Sequence, residues 1–184
     1  MNRFIVITGG IGAGKSVVSR ILRLRGYEVY DCDSEARRIM EQSREVADSL
    51  RLWFGEEVYD SDGHIRRKWL AERMFADAAL LSQVNALVHR LVREDVEARG
   101  VRFVETAIPV VSGLASQAEK IWLVDAPEHL RVARAVARGA EEADVLRRMD
   151  VQKTEWAALP SDRTCVIDNS GAVPLLPQLL SLLE

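Results

Sequence analysis

The hydrophobic pattern of this chain changes period repeatedly along its length. Phe4-Ile5-Val6-Ile7 is an unbroken, β-branched apolar run, as expected of a strand buried on both faces of a parallel sheet. From Val17 to Leu24 the apolar positions fall at helical spacing, and Gly26 closes that segment. Tyr27-Glu28-Val29-Tyr30 reads as a second strand running into Asp31-Cys32-Asp33. Further strands are expected at 101–108, 120–126 and 165–169. Helical patterns cover 128–138 and 140–152, separated by Gly139, and a leucine-rich helix closes the chain.

Between the second and third strands the pattern is helical throughout: 34–42, 44–54, 66–75 and 78–99, broken by the turn residues Tyr59-Asp60-Ser61-Asp62-Gly63-His64. A single βα crossover needs far less chain. The alternation therefore predicts an α/β fold: a parallel sheet flanked by helices, with a helical substrate-binding insert. The expected divisions are 1–33 and 101–184 for the core and 34–100 for the insert, with a closing flap at about 138–153.

Composition narrows the class. The chain has 184 residues, 48% hydrophobic and 29% charged, enough to bury a core with one modest insertion. A formal net charge of −3 offers no general attraction to nucleic acid or anionic lipid, so neither is expected as a partner. No apolar stretch reaches the roughly 18 residues of a membrane span. Nothing near the start resembles a signal peptide, and Cys32 and Cys165 lack metal-ligand spacing. A cytoplasmic monomer or small homo-oligomer is expected.

Chemistry enters with Gly9-Gly10-Ile11-Gly12-Ala13-Gly14-Lys15-Ser16, which fits G-x-x-x-x-G-K-S between a strand and a helix. Its glycines allow positive φ and let backbone N–H groups of Gly10, Ile11, Gly12, Ala13, Gly14, Lys15, Ser16 and Val17 close around phosphate, while the helix start faces the same anion. Lys15 would reach the β- and γ-phosphates of a nucleoside triphosphate, and the Ser16 hydroxyl would ligate Mg²⁺. This is a P-loop of the NTPase type.

Transfer to an alcohol also calls for a carboxylate that accepts the hydroxyl proton. Asp31 and Asp33 are the candidates, placed at the carboxyl end of a strand expected to neighbour the phosphate loop. Arg131, Arg134, Arg138, Arg147 and Arg148 cluster where a lid would close; most are expected to solvate helix surfaces, with Arg138 and Arg148 favoured for phosphate. Glu105 could hold a magnesium-bound water or pair with an arginine. His89, taken alone, reads as a hydrogen-bonded helix residue, and the four tryptophans as core or interface.

Together these segments resemble the dephospho-CoA kinase family. The resemblance rests on Thr8 through Ser16, Asp31-Cys32-Asp33 with Ala36-Arg37, Asn85-x-x-x-His89, Arg138, Arg148-Met149-Asp150-Val151-Gln152 and Ile167-Asp168-Asn169-Ser170-Gly171. It implies ATP-dependent phosphorylation of the 3′-hydroxyl of dephospho-CoA. It also implies Asp33 as base, with Asp31, Arg37 and His89 in the acceptor region. The flap at about 138–153 is then a small lid, in which Arg138, as a catalytic arginine, and Arg148 fall, and Asn169 lies near the adenine.

Two departures stand out. The acid usual after the third strand is absent from Pro109-Val110-Val111-Ser112-Gly113, and the usual His-Pro pair is His89-Arg90. Competing readings are another small-molecule or nucleoside kinase on the same core, and a nucleotide switch or impaired relative. No Asn-Lys-x-Asp motif supports a GTPase switch.

Overall fold

The computed structural model describes residues 4–184 and divides into two compact units, one reaching to Asp31 and resuming at Arg99, the other spanning Cys32–Ala98. The first unit is built on five parallel strands: β1 (Ile5–Thr8), β2 (Val29–Asp31), β3 (Phe103–Glu105), β4 (Lys120–Asp125) and β5 (Thr164–Asp168). Their order across the sheet is β2-β3-β1-β4-β5. β1 is central and wholly buried, as its unalternating apolar run requires.

The order corrects one expectation. β2 does not neighbour β1. A strand has only two hydrogen-bonding edges, and those of β1 are taken by β3 (Val6 opposite Val104) and β4 (Val6 opposite Ile121). β2 pairs with β3 at the sheet's edge, Asp31 opposite Glu105.

Helices α1 (Lys15–Leu24), α6 (Leu114–Gln117), α7 (Glu128–Val136), α8 (Glu142–Ala157) and α9 (Leu175–Leu183) complete this unit. Val18 and Leu22 of α1 and Leu179 of α9 pack against Ile5, Ile7, Phe103, Trp122, Val124 and Ile167. Phe103 and Trp122 meet at 5.4 Å between ring centroids. Trp122 thus answers as a core residue.

Two bounds differ from the sequence expectation with consequence. β3 ends at Glu105 rather than Ile108: one more ladder bond, Thr106 N–H to the Ile7 carbonyl at 3.0 Å, continues it. The chain then turns, Pro109 bringing no N–H and Ser112 N–H closing on the Ile108 carbonyl at 3.0 Å. α8 does not stop at Gln152 but continues to Ala157, which carries Glu155 and Trp156.

The second unit is helical: α2 (Cys32–Gln42), α3 (Arg44–Phe54), a 3₁₀ turn (Glu56–Val58), α4 (Arg67–Ala76) and α5 (Ala78–Arg99). Ser43 caps α3 by accepting from Val46 N–H at 3.4 Å. α2 begins at Cys32, two residues earlier than its pattern suggests, so Asp33 lies in the first turn of a helix and not at a strand end. Arg38 of α2 donates to Asp95 of α5 at 2.9 Å. Val84, Leu87, Val92 and Val96 supply the buried stripe of α5.

Candidate functional site

The phosphate loop leaves the carboxyl end of β1 between β4 and α7, and the tightness of that passage dictates its glycines. A Cβ on Gly12 (φ +76°) would come 2.1 Å from the Arg131 carbonyl oxygen, and a Cβ on Gly9 would come 2.2 Å from that of Val124. Backbone faces backbone at both points. Gly14, at φ +103°, then caps α1 without any side-chain hydrogen bond, and the first turn of α1 holds no acid. The amides and the positive dipole end of that helix remain available to an anion.

Alternate carbonyls of the loop are held from three sides. Lys15 Nζ donates to Gly9 O at 2.7 Å, Arg131 Nε to Ile11 O at 3.1 Å, and Asn169 Nδ2 to Ala13 O at 2.7 Å. In a trans peptide the carbonyl and the following N–H point in opposite directions. Fixing these three carbonyls therefore turns the N–H groups of Gly10, Gly12 and Gly14 away from the three side chains. Within the loop Ala13 N–H also donates to Gly10 O at 3.1 Å, Ile11 N–H to Gln152 Oε1 at 3.0 Å, and Val17 N–H to Gly14 O at 2.9 Å.

Beside the loop lies a cleft of about 590 Å³ lined in part by Asp125, Arg131, Lys153, Trp156, Asp168 and Ser170. Arg131 is only 4% exposed. Its guanidinium lies 4.5 Å from the centre of the Trp156 ring, and its Nη2 is buried without a hydrogen-bond partner. Burial pushes its pKa below the ordinary guanidinium value, while Asp125 and Glu128 pull it upward. Arg134, half-buried, donates to the Asn169 carbonyl at 2.9 Å. Asp168 accepts from Ser170 N–H at 2.7 Å, which holds its carboxyl below the usual range.

The segment that lacks the expected acid is met by another. Glu155 of α8, 6% exposed, accepts from Val110 N–H and Val111 N–H, each at 2.9 Å. A buried carboxylate holding two adjacent amides ties α8 to the turn after β3.

Other expected site residues are placed as follows. Ser16 and Val17 open α1 and are exposed. Asp31 and Glu105 are half-buried register partners at the carboxyl ends of β2 and β3. Arg138, after α7, and Arg148, on α8, are exposed. In the helical unit, Asp33 and Arg37 are exposed four residues apart on α2, hence on one face, and His89 is half-buried on α5. Arg90, standing where proline is usual, leaves α5 unbroken and bonds Glu94 at 2.8 Å and also Glu45. Among the described residues no cluster of three His, Cys, Asp or Glu could hold a metal. Mg²⁺ at a nucleotide site needs few protein ligands, since phosphates and water supply the rest, and the exposed Ser16 hydroxyl fits that role.

Sequence reading misplaced Arg131 as a surface cation. Arg131, Arg134 and Arg138 share a helical face by spacing, but nothing in the spacing says which of them meets the loop. Glu155 and Trp156 were missed because α8 was expected to end before them. The one available signal was the run Asp150–Ala157, which holds no proline or glycine to stop a helix.

A family model for dephospho-CoA kinase matches residues 3–174. A dephospho-CoA kinase of Porphyromonas gingivalis is 37% identical over 187 residues, covering 98% of this chain and 92% of that protein. One of Deinococcus radiodurans is 38% identical over 183 residues, covering 95% and 87%. The crystal structure of TT1252 from Thermus thermophilus superposes with a TM-score of 0.79 at 28% identity, covering 100% of this chain and 97% of that one.

Proposed function

The chain belongs to the dephospho-CoA kinase family, and on that premise we propose how its own residues carry ATP-dependent phosphorylation of dephospho-CoA. The observation that carries the reading is the loop itself: three glycines at positive φ, carbonyls at Gly9, Ile11 and Ala13 drawn outward, and an uncapped helix start.

In this reading the segment from Gly10 to Val17 wraps the triphosphate, chiefly through the amides that the loop's own hydrogen bonds do not take. Lys15 exchanges its contact with the Gly9 carbonyl for the β- and γ-phosphates. Ser16 Oγ holds Mg²⁺, which when bound offsets charge on the phosphates. Asn169 orders the loop on the side where the adenine sits. Arg138 and Arg148 belong to the lid and contact phosphate as it closes.

Asp33 accepts the proton of the ribose 3′-hydroxyl as that oxygen attacks the γ-phosphorus, giving coenzyme A and ADP. Asp31, Arg37 and His89 serve the acceptor. Arg37 is suited to an anionic group, because its guanidinium offers a planar fork of donors. No helix among the described residues is long and apolar enough to cross a membrane. We place the enzyme in the cytoplasm, as a monomer or a small homo-oligomer.

The test is coupled ADP release by purified protein with ATP and Mg²⁺ against dephospho-CoA and a panel of nucleosides and small alcohols. Mass analysis should find one phosphate added to dephospho-CoA. Release driven by another acceptor and not by dephospho-CoA would overturn the assignment.

A further inference from the structure

Arg131 is the most buried arginine among the described residues, at 4% exposed. A guanidinium is among the costliest groups to bury, and burial is tolerated when its donors are satisfied by an anion. Here Nε is satisfied by the Ile11 carbonyl, the π face of Trp156 covers one side of the group, and Nη2 is buried with no acceptor. Among the described residues no carboxylate is hydrogen-bonded to it. Asp125 and Glu128 act on it only through their charge.

The position of that unmatched donor is specific. A Cβ on Gly10 would lie 1.9 Å from Arg131 Nη2 and 2.5 Å from Trp156 Cζ2. The guanidinium therefore rests directly on the phosphate loop, at the glycine that precedes the Ile11 carbonyl it already holds. It also lines the cleft beside the loop. Nη2 itself is covered, so an anion meets this edge of the guanidinium only as the loop at Gly10 or the Trp156 ring gives way. Trp156, carried by the last turn of α8, keeps the planar group in one orientation, since a cation is attracted to the face of the ring.

We propose that Arg131 is a catalytic residue of this site, its Nη2 binding an oxygen of the transferring phosphoryl group while Nε remains on the Ile11 carbonyl. This rests on the kinase reading above and adds a residue to it. During transfer the bond from the γ-phosphorus to the bridging oxygen breaks, and the bond to the acceptor oxygen forms. The acceptor's proton passes to Asp33. Arg131 exchanges no proton and acts by its charge, which is worth most in a dry site where the donor is already in place. Once a phosphoryl oxygen reaches Nη2, a guanidinium already oriented by the Ile11 carbonyl and Trp156 needs little further turning as charge moves onto the phosphoryl oxygens and the leaving group.

The test compares wild type with Arg131→Lys and Arg131→Gln in three measurements: kcat for ADP release, affinity for ATP, and affinity for ADP with aluminium fluoride in the absence of acceptor. The expected result is a fall in kcat of about 10²–10³ in both variants. ATP affinity should change by less than about fivefold, and affinity for the fluoride complex should fall by a factor close to that in kcat. Lysine should not rescue, because it keeps the charge without the fork. Equal weakening of ATP and of the mimic would reduce Arg131 to a support of the loop and overturn the proposal, as would near-normal turnover by either variant.

Should neither variant fold, the wild type with ADP and aluminium fluoride gives an independent reading by crystallography. Nη2 within about 3.2 Å of a phosphate oxygen or fluoride supports the role, and Nη2 still without a partner defeats it. The mimic requires no acceptor. Failure of wild type to phosphorylate dephospho-CoA would therefore count against the proposed function, and failure at Arg131 against this residue alone.

Discussion

The side-chain amide of Asn169, just past the end of β5, donates to the main-chain carbonyl of Ala13 in the phosphate loop at 2.7 Å. The two residues are 156 positions apart. The same amide lies where a Cβ on Gly14 would fall, 2.1 Å away, so the loop and the β5 end are fitted to each other. Arg134 holds the Asn169 carbonyl in turn.

Asn169→Ala should therefore act on the loop from a distance. Removing the partner of the buried Ala13 carbonyl costs about 1–2 kcal/mol. The expected outcome is an ATP affinity weaker by roughly tenfold, read by titration calorimetry. Affinity within twofold of wild type would mean that the loop keeps its shape without this bond.

The glycines separate strain from function. Gly12→Ala would force a Cβ against the Arg131 carbonyl at 2.1 Å with φ at +76°, so the backbone of α7 or of the loop must move. ATP binding should be lost. Gly26→Ala takes a similar φ of +87° but meets nothing within 4 Å. It should cost about 1 kcal/mol of stability, from the left-handed conformation alone, and leave turnover unchanged. Thermal melts and ADP release on the pair distinguish the two.

Val110 N–H donates to Glu155 Oε2 and Val111 N–H to Oε1, so Glu155→Gln removes the acceptor of one of them and sets an amide donor against an amide donor. Stability should fall by about 1–3 kcal/mol. For a chain of this size each kcal/mol lowers the melting midpoint by roughly 2–4 °C. An unchanged midpoint would show that the turn after β3 does not depend on α8.

Asp33→Asn tests the proposed base. Loss of a general base lowers kcat by about two to four orders of magnitude, and ATP affinity should stay within a few-fold. Near-normal turnover would move the role to Asp31. Lys15→Ala serves as the contrast, since it should damage ATP binding and turnover together.

Acid should loosen the end of β5 through Asp168. Hydrogen bonds from Ser170 favour its charged form and lower its pKa from the ordinary 3.8. A carboxylate with a depressed folded-state pKa stabilises fully above the unfolded value and loses that contribution as pH falls through the folded one. Wild type should thus lose stability on descending below about pH 4. Asp168→Asn should show a shallower loss over that window in denaturant titrations, and identical slopes would exclude the contribution.

What the sequence determined by itself is what depends on neighbours in the chain. An unalternating apolar run makes β1 a buried strand, the glycine spacing makes a P-loop at the start of α1, and helical periods mark the insert from 34 onward. Legible too was the pairing of Lys15 and Ser16 with the opening turn of α1. Tertiary structure decided everything that requires two distant segments to meet. β2 went to the sheet edge because β3 and β4 occupy both sides of β1. Arg131 became a buried cation because α7 crosses the loop at Gly12, and the last turn of α8 brought Glu155 to the turn after β3 and Trp156 to Arg131. Helical spacing tells which arginines share a face. Burial depends on what packs against that face, and no local pattern encodes it.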